Sequence, residues 1–255
     1  MRMICLILTF LTLPVFAQEK PVTIAVVDSG FTQPIGYPTP NFCKFGHADV
    51  TAFFPKTNII PKDLHGHGTN IVFTIEKQLE GVDRSKYCLV IIKYWNPGTS
   101  GWISVRNTVK AFKRAHNMNI SIVNYSSVGN SSDLRERLII KKMLDDKIVV
   151  VVAAGNEGAK IVPESEIFNL KPDPKLDPKV EKTTWSYPAN YDDRVIAVGN
   201  LVGKVRNPSS NYGSRVNFWE IGTDVESGGI KMTGTSQATA VYTGKLIRKM
   251  IEVKK

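Results

Sequence analysis

The sequence predicts an α/β fold, a three-layer sandwich with a mostly parallel central sheet and helices on both faces. Three observations predict it. Residues 22–27, 88–94, 120–125 and 148–152 are short, nearly continuous apolar runs, the pattern of strands covered on both faces. Helical patterns over residues 104–117 and 132–145 lie between them, so that strand, crossover helix and strand repeat. Polar residues beside glycines follow several of these runs, where open α/β sheets place their chemistry. With 255 residues, 42% of them hydrophobic, and no repeat or shift in composition, the chain can bury one large core, and residues 18–255 are expected to form a single domain.

The first residues stand apart. Met1, Arg2 and Met3 lead into an apolar run over residues 4–16, and Ala17 precedes Gln18, the order of charge, apolar core and small residue seen in a secretory signal. The run is too short to span a bilayer, and no other stretch has spanning length. Residues 1–17 are therefore expected to be a signal peptide, leaving a periplasmic or secreted protein with no membrane contact. Cys5 would leave with the signal. Cys43 and Cys88 remain in an oxidising compartment, where one disulfide and two free buried thiols both fit the spacing.

A formal net charge of +10 invites a nucleic-acid reading. The lysines argue against it, because they are spread along the chain and no basic segment is interleaved with stacking aromatics. A solvated positive surface that suits anionic partners is the simpler account.

In chain order, the strand at residues 22–27 ends in Asp28, Ser29 and Gly30, and Asp28 stands at a strand's carboxyl end, although an aspartate before glycine is also an ordinary turn residue. Residues 32–61 are rich in Pro, Gly and Asn, with one strand expected around residues 41–49. His67 opens a helical pattern carried by Ile71, Val72, Ile75 and Leu79. His65 and His67, two apart, cannot share a helix face, and no HExxH pattern surrounds them, so no metal site is expected. The strand at residues 148–152 runs into Ala153, Ala154, Gly155, Asn156, Glu157 and Gly158. Asn156 there is either a turn residue or an amide donor to a developing oxyanion. Near the end, Gly234 and Thr235 precede Ser236 at the start of a helix, whose unpaired amides and positive dipole end point at whatever the hydroxyl faces. An N-cap serine is the plain alternative.

Taken together, Asp28-Ser29-Gly30, His67-Gly68-Thr69, residues 153–158 and Gly234-Thr235-Ser236 give acid, base, oxyanion donor and nucleophile in one order. That combination resembles the subtilisin-like serine peptidases. The resemblance runs from Val22 to about Gly244 and includes the blocks Val123-Asn124-Tyr125-Ser126 and Tyr187-Pro188-Ala189-Asn190-Tyr191. It implies that Ser236 is the nucleophile, that His67 is its general base, that Asp28 orients the imidazole, and that Asn156 receives the oxyanion with the Ser236 amide. Ser126, Ser127, Val128 and Gly129 on one side, and Ala154 and Gly155 on the other, would wall the pocket for the residue before the cleaved bond. Extended polypeptide would pair with the first wall, so unfolded or loop-like polypeptides are the expected partners, with no cofactor and a monomeric enzyme. In that fold the strand expected near Cys43 lies beside the one at Cys88, which implies a Cys43–Cys88 disulfide.

The departures from the family pattern are specific. Gln237 and Ala240 stand where methionine and proline are usual, and Asn70, Val72 and Phe73 stand where His, Ala and Gly are common. Val128 replaces a glycine and should narrow the cleft, while Phe73 requires its neighbours to have moved. No room is expected for a folding propeptide ahead of the first strand, the link between the His67 helix and the Cys88 strand lacks the calcium loop of many relatives, and residues 160–184 form a long Pro, Lys and Glu segment that would act as a lid or exosite. Two functions fit these motifs: an exported endopeptidase, or a peptide-binding protein that has kept the fold and lost turnover.

Overall fold

The structure is a computed structural model and describes residues 20–52, 56–163 and 183–253. The expected signal at residues 1–17 and most of the 160–184 segment lie outside the described residues.

Strand β1 (Val22–Asp28) lies at the centre, flanked in parallel by β4 (Tyr87–Lys93) and β5 (Ile122–Tyr125). Beyond β5 the parallel order continues through β6 (Val149–Ala153) to β9 (Ile196–Val202), and on the other side β4 is followed by the two-residue strand β2 (Ala48–Asp49). Antiparallel β3 (Lys56–Thr57) and β10 (Val205–Arg206) close the two edges, and β11 (Phe218–Ile221) also pairs with β9, in parallel. Short pairs β7 (Lys160–Ile161) with β8 (Thr183–Thr184) and β12 (Val225–Ser227) with β13 (Ile230–Met232) lie apart from the main sheet. The parallel three-layer architecture is the one the alternation of apolar runs predicts.

The layers follow from the two-residue period of the strands. Along β1, Ala25 and Val27 face a core shared with α2 (Gly101–Asn117) and α3 (Leu134–Asp145), which contributes Phe112, Ile140 and Met143. Val22, Ile24 and Val26 face the opposite core, made with α1 (His67–Gln78) and α4 (Thr235–Val253) through Ile71, Ile75, Ala238 and Ile247. Because each face of β1 meets a helix layer, its run has no polar alternation.

Local chemistry moved some boundaries. The strand expected over residues 41–49 is broken: Phe42 bridges Leu89, the chain turns through Gly46 at φ 107°, and regular pairing resumes only at Ala48. Helix α2 begins at Gly101, three residues before the apolar pattern shows it, because its first turn is solvent-facing. Asp133 fixes the start of α3 by accepting the N–H groups of Arg135 and Glu136. Phe73 is received by Phe31 and Tyr37, with ring centroids 5.7 and 5.5 Å away, and by the turn between β12 and β13. Gly228 in that turn has φ 61°, and a Cβ on it would run into the Phe73 ring. Cys43 and Cys88 form a disulfide with their Cα atoms 4.9 Å apart.

Candidate active site

The crossovers reverse direction at β1, since β4 was laid on one side of it and β5 on the other. Open sheets form a crevice at the carboxyl ends of such strands. Here a cleft of about 400 Å³ is lined by Asp28, His67, Ser126, Ser127, Asn156 and Ser236, among others.

Asp28 terminates β1 and is buried at 4% exposure. Its Oδ1 lies 2.8 Å from Nδ1 of His67, the first residue of α1. With Nδ1 carrying the proton donated to Asp28, Nε2 is left as the basic nitrogen. Burial alone would depress the imidazole's proton affinity; the negative charge and hydrogen bond of Asp28, together with the charge of Asp63, outweigh it and hold the pKa above its ordinary 6.5.

The loop before His67 is set by Asp63. Its Oδ1 accepts the N–H groups of His65 and Gly66 and the hydroxyl of Ser29, while Oδ2 accepts the N–H and hydroxyl of Thr69. Burial would raise this carboxyl, but these donors more than offset it and keep it below its ordinary value. The Ser29 hydroxyl accepts the Gly68 N–H, which closes the link between the end of β1 and α1. Only glycine fits at residue 68, since a Cβ would strike the Gly30 carbonyl oxygen. Lys93, buried beside Asp28 in the β1–β4 register, donates to the Lys62 carbonyl at 2.6 Å.

Ser236 is the second residue of α4, with its N–H among the unpaired donors of that helix start. Its hydroxyl donates to the Ser126 carbonyl at 2.8 Å, and among the described residues it makes no hydrogen bond to His67. In return, the Ser126 hydroxyl donates to the Ser236 carbonyl at 3.0 Å and accepts from Asn124, whose side-chain oxygen takes the Thr243 hydroxyl about two helix turns further along α4. The nucleophile candidate and the first wall are thus clamped together by buried polar groups.

Asn156 follows β6. Its Oδ1 accepts the Thr235 N–H at 2.9 Å and the Thr235 hydroxyl at 3.2 Å, which leaves Nδ2 without a protein partner among the described residues. Asn156 is exposed to the cleft, so Nδ2 and the Ser236 N–H can both serve one oxyanion. Asn211, fully buried, shapes the loop around it by donating to the Ala154 carbonyl and accepting from the Glu157 and Ala159 N–H groups.

Of the first wall, Ser126, Ser127 and Val128 line the cleft, whereas Gly129 lies beyond it, bonded in both directions to the Tyr187 backbone. Of the second, Ala154 and Gly155 are buried, their carbonyls taken by Asn211, and Ala153 and Asn156 reach the cleft instead. His65 stands edge-on to Trp95 at 5.2 Å, on the rim. Two departures from the family pattern meet: Gln237 Nε2 donates to Asn70 Oδ1 at 3.1 Å, and Asn70 Nδ2 donates to the carbonyls of Val225, Ser227 and Ile230. Asp63, Asn124 and Asn211 received no role from the sequence. Their signal is weak, since each acts on backbone and neighbouring side chains within the fold.

Fold and site together define a doubly covered parallel sheet with an aspartate–histidine pair, a helix-opening serine and an amide in one crevice. The chain belongs to the subtilase family, whose model (Peptidase_S8: Subtilase family) matches residues 19–250. It is 26% identical over 236 residues to subtilisin amylosacchariticus of Bacillus subtilis subsp. amylosacchariticus, covering 88% of this chain and 54% of that protein. It is 25% identical over 236 residues to subtilisin of Bacillus pumilus, covering 88% and 74%. The chain thus spans about half the length of the first of these relatives. Among solved structures, a cold-adapted subtilisin-like serine proteinase superposes with a TM-score of 0.65 at 20% identity, over 90% of this chain and 75% of that one.

Proposed function

We propose that this chain is an exported serine endopeptidase, with residues 1–17 as its secretory signal and the remainder acting as a single monomeric domain. The observation that carries the reading is the lining of one cleft by Asp28, His67, Ser236 and Asn156. In the first step the Ser236 hydroxyl leaves the Ser126 carbonyl and turns to His67, its Oγ attacks the substrate carbonyl carbon, and Nε2 of His67 takes the proton. Asp28 stabilises the imidazolium without itself being protonated. The carbonyl oxygen, now negative, is received by Asn156 Nδ2 and the Ser236 N–H. His67 then protonates the departing amine, which leaves an acyl ester on Ser236, and water repeats the sequence to release the acid and restore the serine.

A second reading, a peptide-binding protein without useful turnover, is favoured by the Ser236 hydroxyl being held on the Ser126 carbonyl. A fluorophosphonate probe separates the two. Labelling of Ser236 together with casein cleavage, both lost in Ser236→Ala, is the expected result. Folded protein that takes no label and cleaves no casein would sink the peptidase reading.

A further inference from the structure

Beside the cleft lies a second recess of about 560 Å³, which shares Gly101, Ser104, Ser127 and Val128 with it. Its walls combine Trp102, Val105, Val128 and Gly129 with the polar residues 130–132, and it reaches Asp133 and Glu136 at the start of α3. We propose that this recess is a side-chain subsite for a lysine or arginine of the substrate, upstream of the cleaved bond, with Glu136 as its selecting group. The proposal rests on the peptidase reading for its substrate.

Glu136 is 5% exposed, an uncommon place for a carboxylate. Its Oε2 accepts the Tyr191 hydroxyl at 2.8 Å, and among the described residues no donor reaches Oε1. The surrounding charges do not neutralise it. Arg135 is bound to Asp133 at 2.7 Å, Arg106 lies over the Trp102 ring at 5.4 Å, and Arg137 lies over the Tyr191 ring at 5.3 Å. Of the remaining groups that face it, Tyr191 is its hydrogen-bond donor, Asp133 adds a like charge, and Tyr125, itself pushed up to about 12, binds the Thr108 hydroxyl. A buried acid in a recess that has apolar walls on one part, no lysine or arginine among its described lining residues, and a place beside the cleft calls for a cation carried on a long aliphatic stem. The stem packs on Trp102, Val105 and Val128, and the head reaches Oε1.

Burial, with a smaller contribution from the Asp133 charge, raises the Glu136 carboxyl to about 7 against the Tyr191 hydrogen bond. Its charge is therefore set near neutrality, and a bound cation favours the ionised form. By reciprocity, if lysine lowers this carboxyl by about one unit, ionisation raises the affinity for lysine about tenfold. Selectivity for a cationic side chain is then weak in acid and strong above neutrality.

The test uses peptide pairs that differ at one position upstream of the bond, lysine against norleucine, scanned along the peptide. The ratio of their kcat/KM cancels the titration of His67. At one position the ratio is expected to rise about tenfold between pH 5.5 and 8.5 and to stay flat in Glu136→Gln. The same pairs titrated calorimetrically into Ser236→Ala protein read the subsite without catalysis. A pH-dependent lysine preference there supports the subsite even if wild-type protein cleaves nothing, which would defeat only the peptidase reading. A ratio that is flat in wild type, or one that survives Glu136→Gln, overturns the proposal. Carboxyl NMR of Glu136 in unsubstituted protein gives a further check. Its midpoint should fall by about one unit on adding the lysine peptide and stay put with norleucine, and equal responses would overturn the assignment.

Discussion

At the level of single residues, the four groups that the sequence singled out share one property: each stands where a regular element begins or ends. Asp28 ends β1, His67 opens α1, Asn156 follows β6 and Ser236 lies in the first turn of α4. Such positions are readable because glycines and apolar runs mark the boundaries. Asp63 was not readable, since the five hydrogen bonds of its carboxylate run to Ser29, to the loop before His67 and to Thr69, groups that come together only once folded. The titration of His67 follows from its surroundings. Only neutral imidazole can accept the serine proton, and the pKa is held above 6.5, so kcat/KM should rise with pH through a midpoint above 6.5. Asp28→Asn removes the charge that raises the imidazole and the acceptor that fixes its tautomer. Activity should fall about 10⁴-fold, and the residual profile should shift to lower pH. A wild-type profile flat from pH 6 to 9 would contradict the assignment of His67 as base.

At the level of elements, the sequence located the four parallel strands β1, β4, β5 and β6 well, missed β9, and placed the helix starts less well. Continuous apolar runs report burial on both faces directly, so β1, β4 and β6 were visible, whereas the first turn of α2 is solvent-facing and left no apolar mark. The pairing of α1 with α4 was out of reach from sequence. Asn70 and Gln237 appeared as separate departures 167 residues apart, yet they form one buried hydrogen bond between the helices that carry His67 and Ser236. Gln237→Met would leave the Asn70 oxygen buried and unpaired, at a cost of roughly 1 to 3 kcal/mol. Changing both residues to apolar ones of similar volume, Asn70→Leu with Gln237→Met, relieves that oxygen but strands the carbonyls of Val225, Ser227 and Ile230. The two substitutions should therefore couple by more than about 0.5 kcal/mol in a double-mutant cycle measured by urea unfolding. Additivity within error would mean that the hydrogen bond contributes nothing.

At the level of the whole molecule, the sheet and its two helix layers hold themselves together by burial, whereas the described part of residues 32–61 adds only a few side chains, Phe42, Cys43, Ala48, Val50 and Ile60, to the two cores. Among the described residues that stretch contributes two strands of two residues each, β2 and β3, and reaches β4 otherwise by the bridge at Phe42 and by scattered hydrogen bonds at Asn41, His47 and Val50. Two residues beyond it lies Asp63, whose carboxylate sets the loop carrying His67. The Cys43–Cys88 disulfide fastens this weakly paired stretch to the start of β4. The spacing of two cysteines could not choose between a bridge and free thiols; only the neighbouring of the two segments in a folded sheet does. Closing a loop with a sequence separation of 45 restricts the unfolded chain by roughly 4 kcal/mol on the chain-entropy account. Replacing both cysteines by serine in Ser236→Ala protein, where self-digestion is absent, should lower the unfolding free energy by about that amount. In protein that retains Ser236, the same replacement should reduce kcat more than it raises KM, because a loosened Asp63 loop misplaces His67 while the Ser126–Val128 wall, on the other side of β1, stays in register. An unfolding curve and a kcat both unchanged by the double substitution would mean that the stretch is held by its own packing and that the disulfide is incidental to the site.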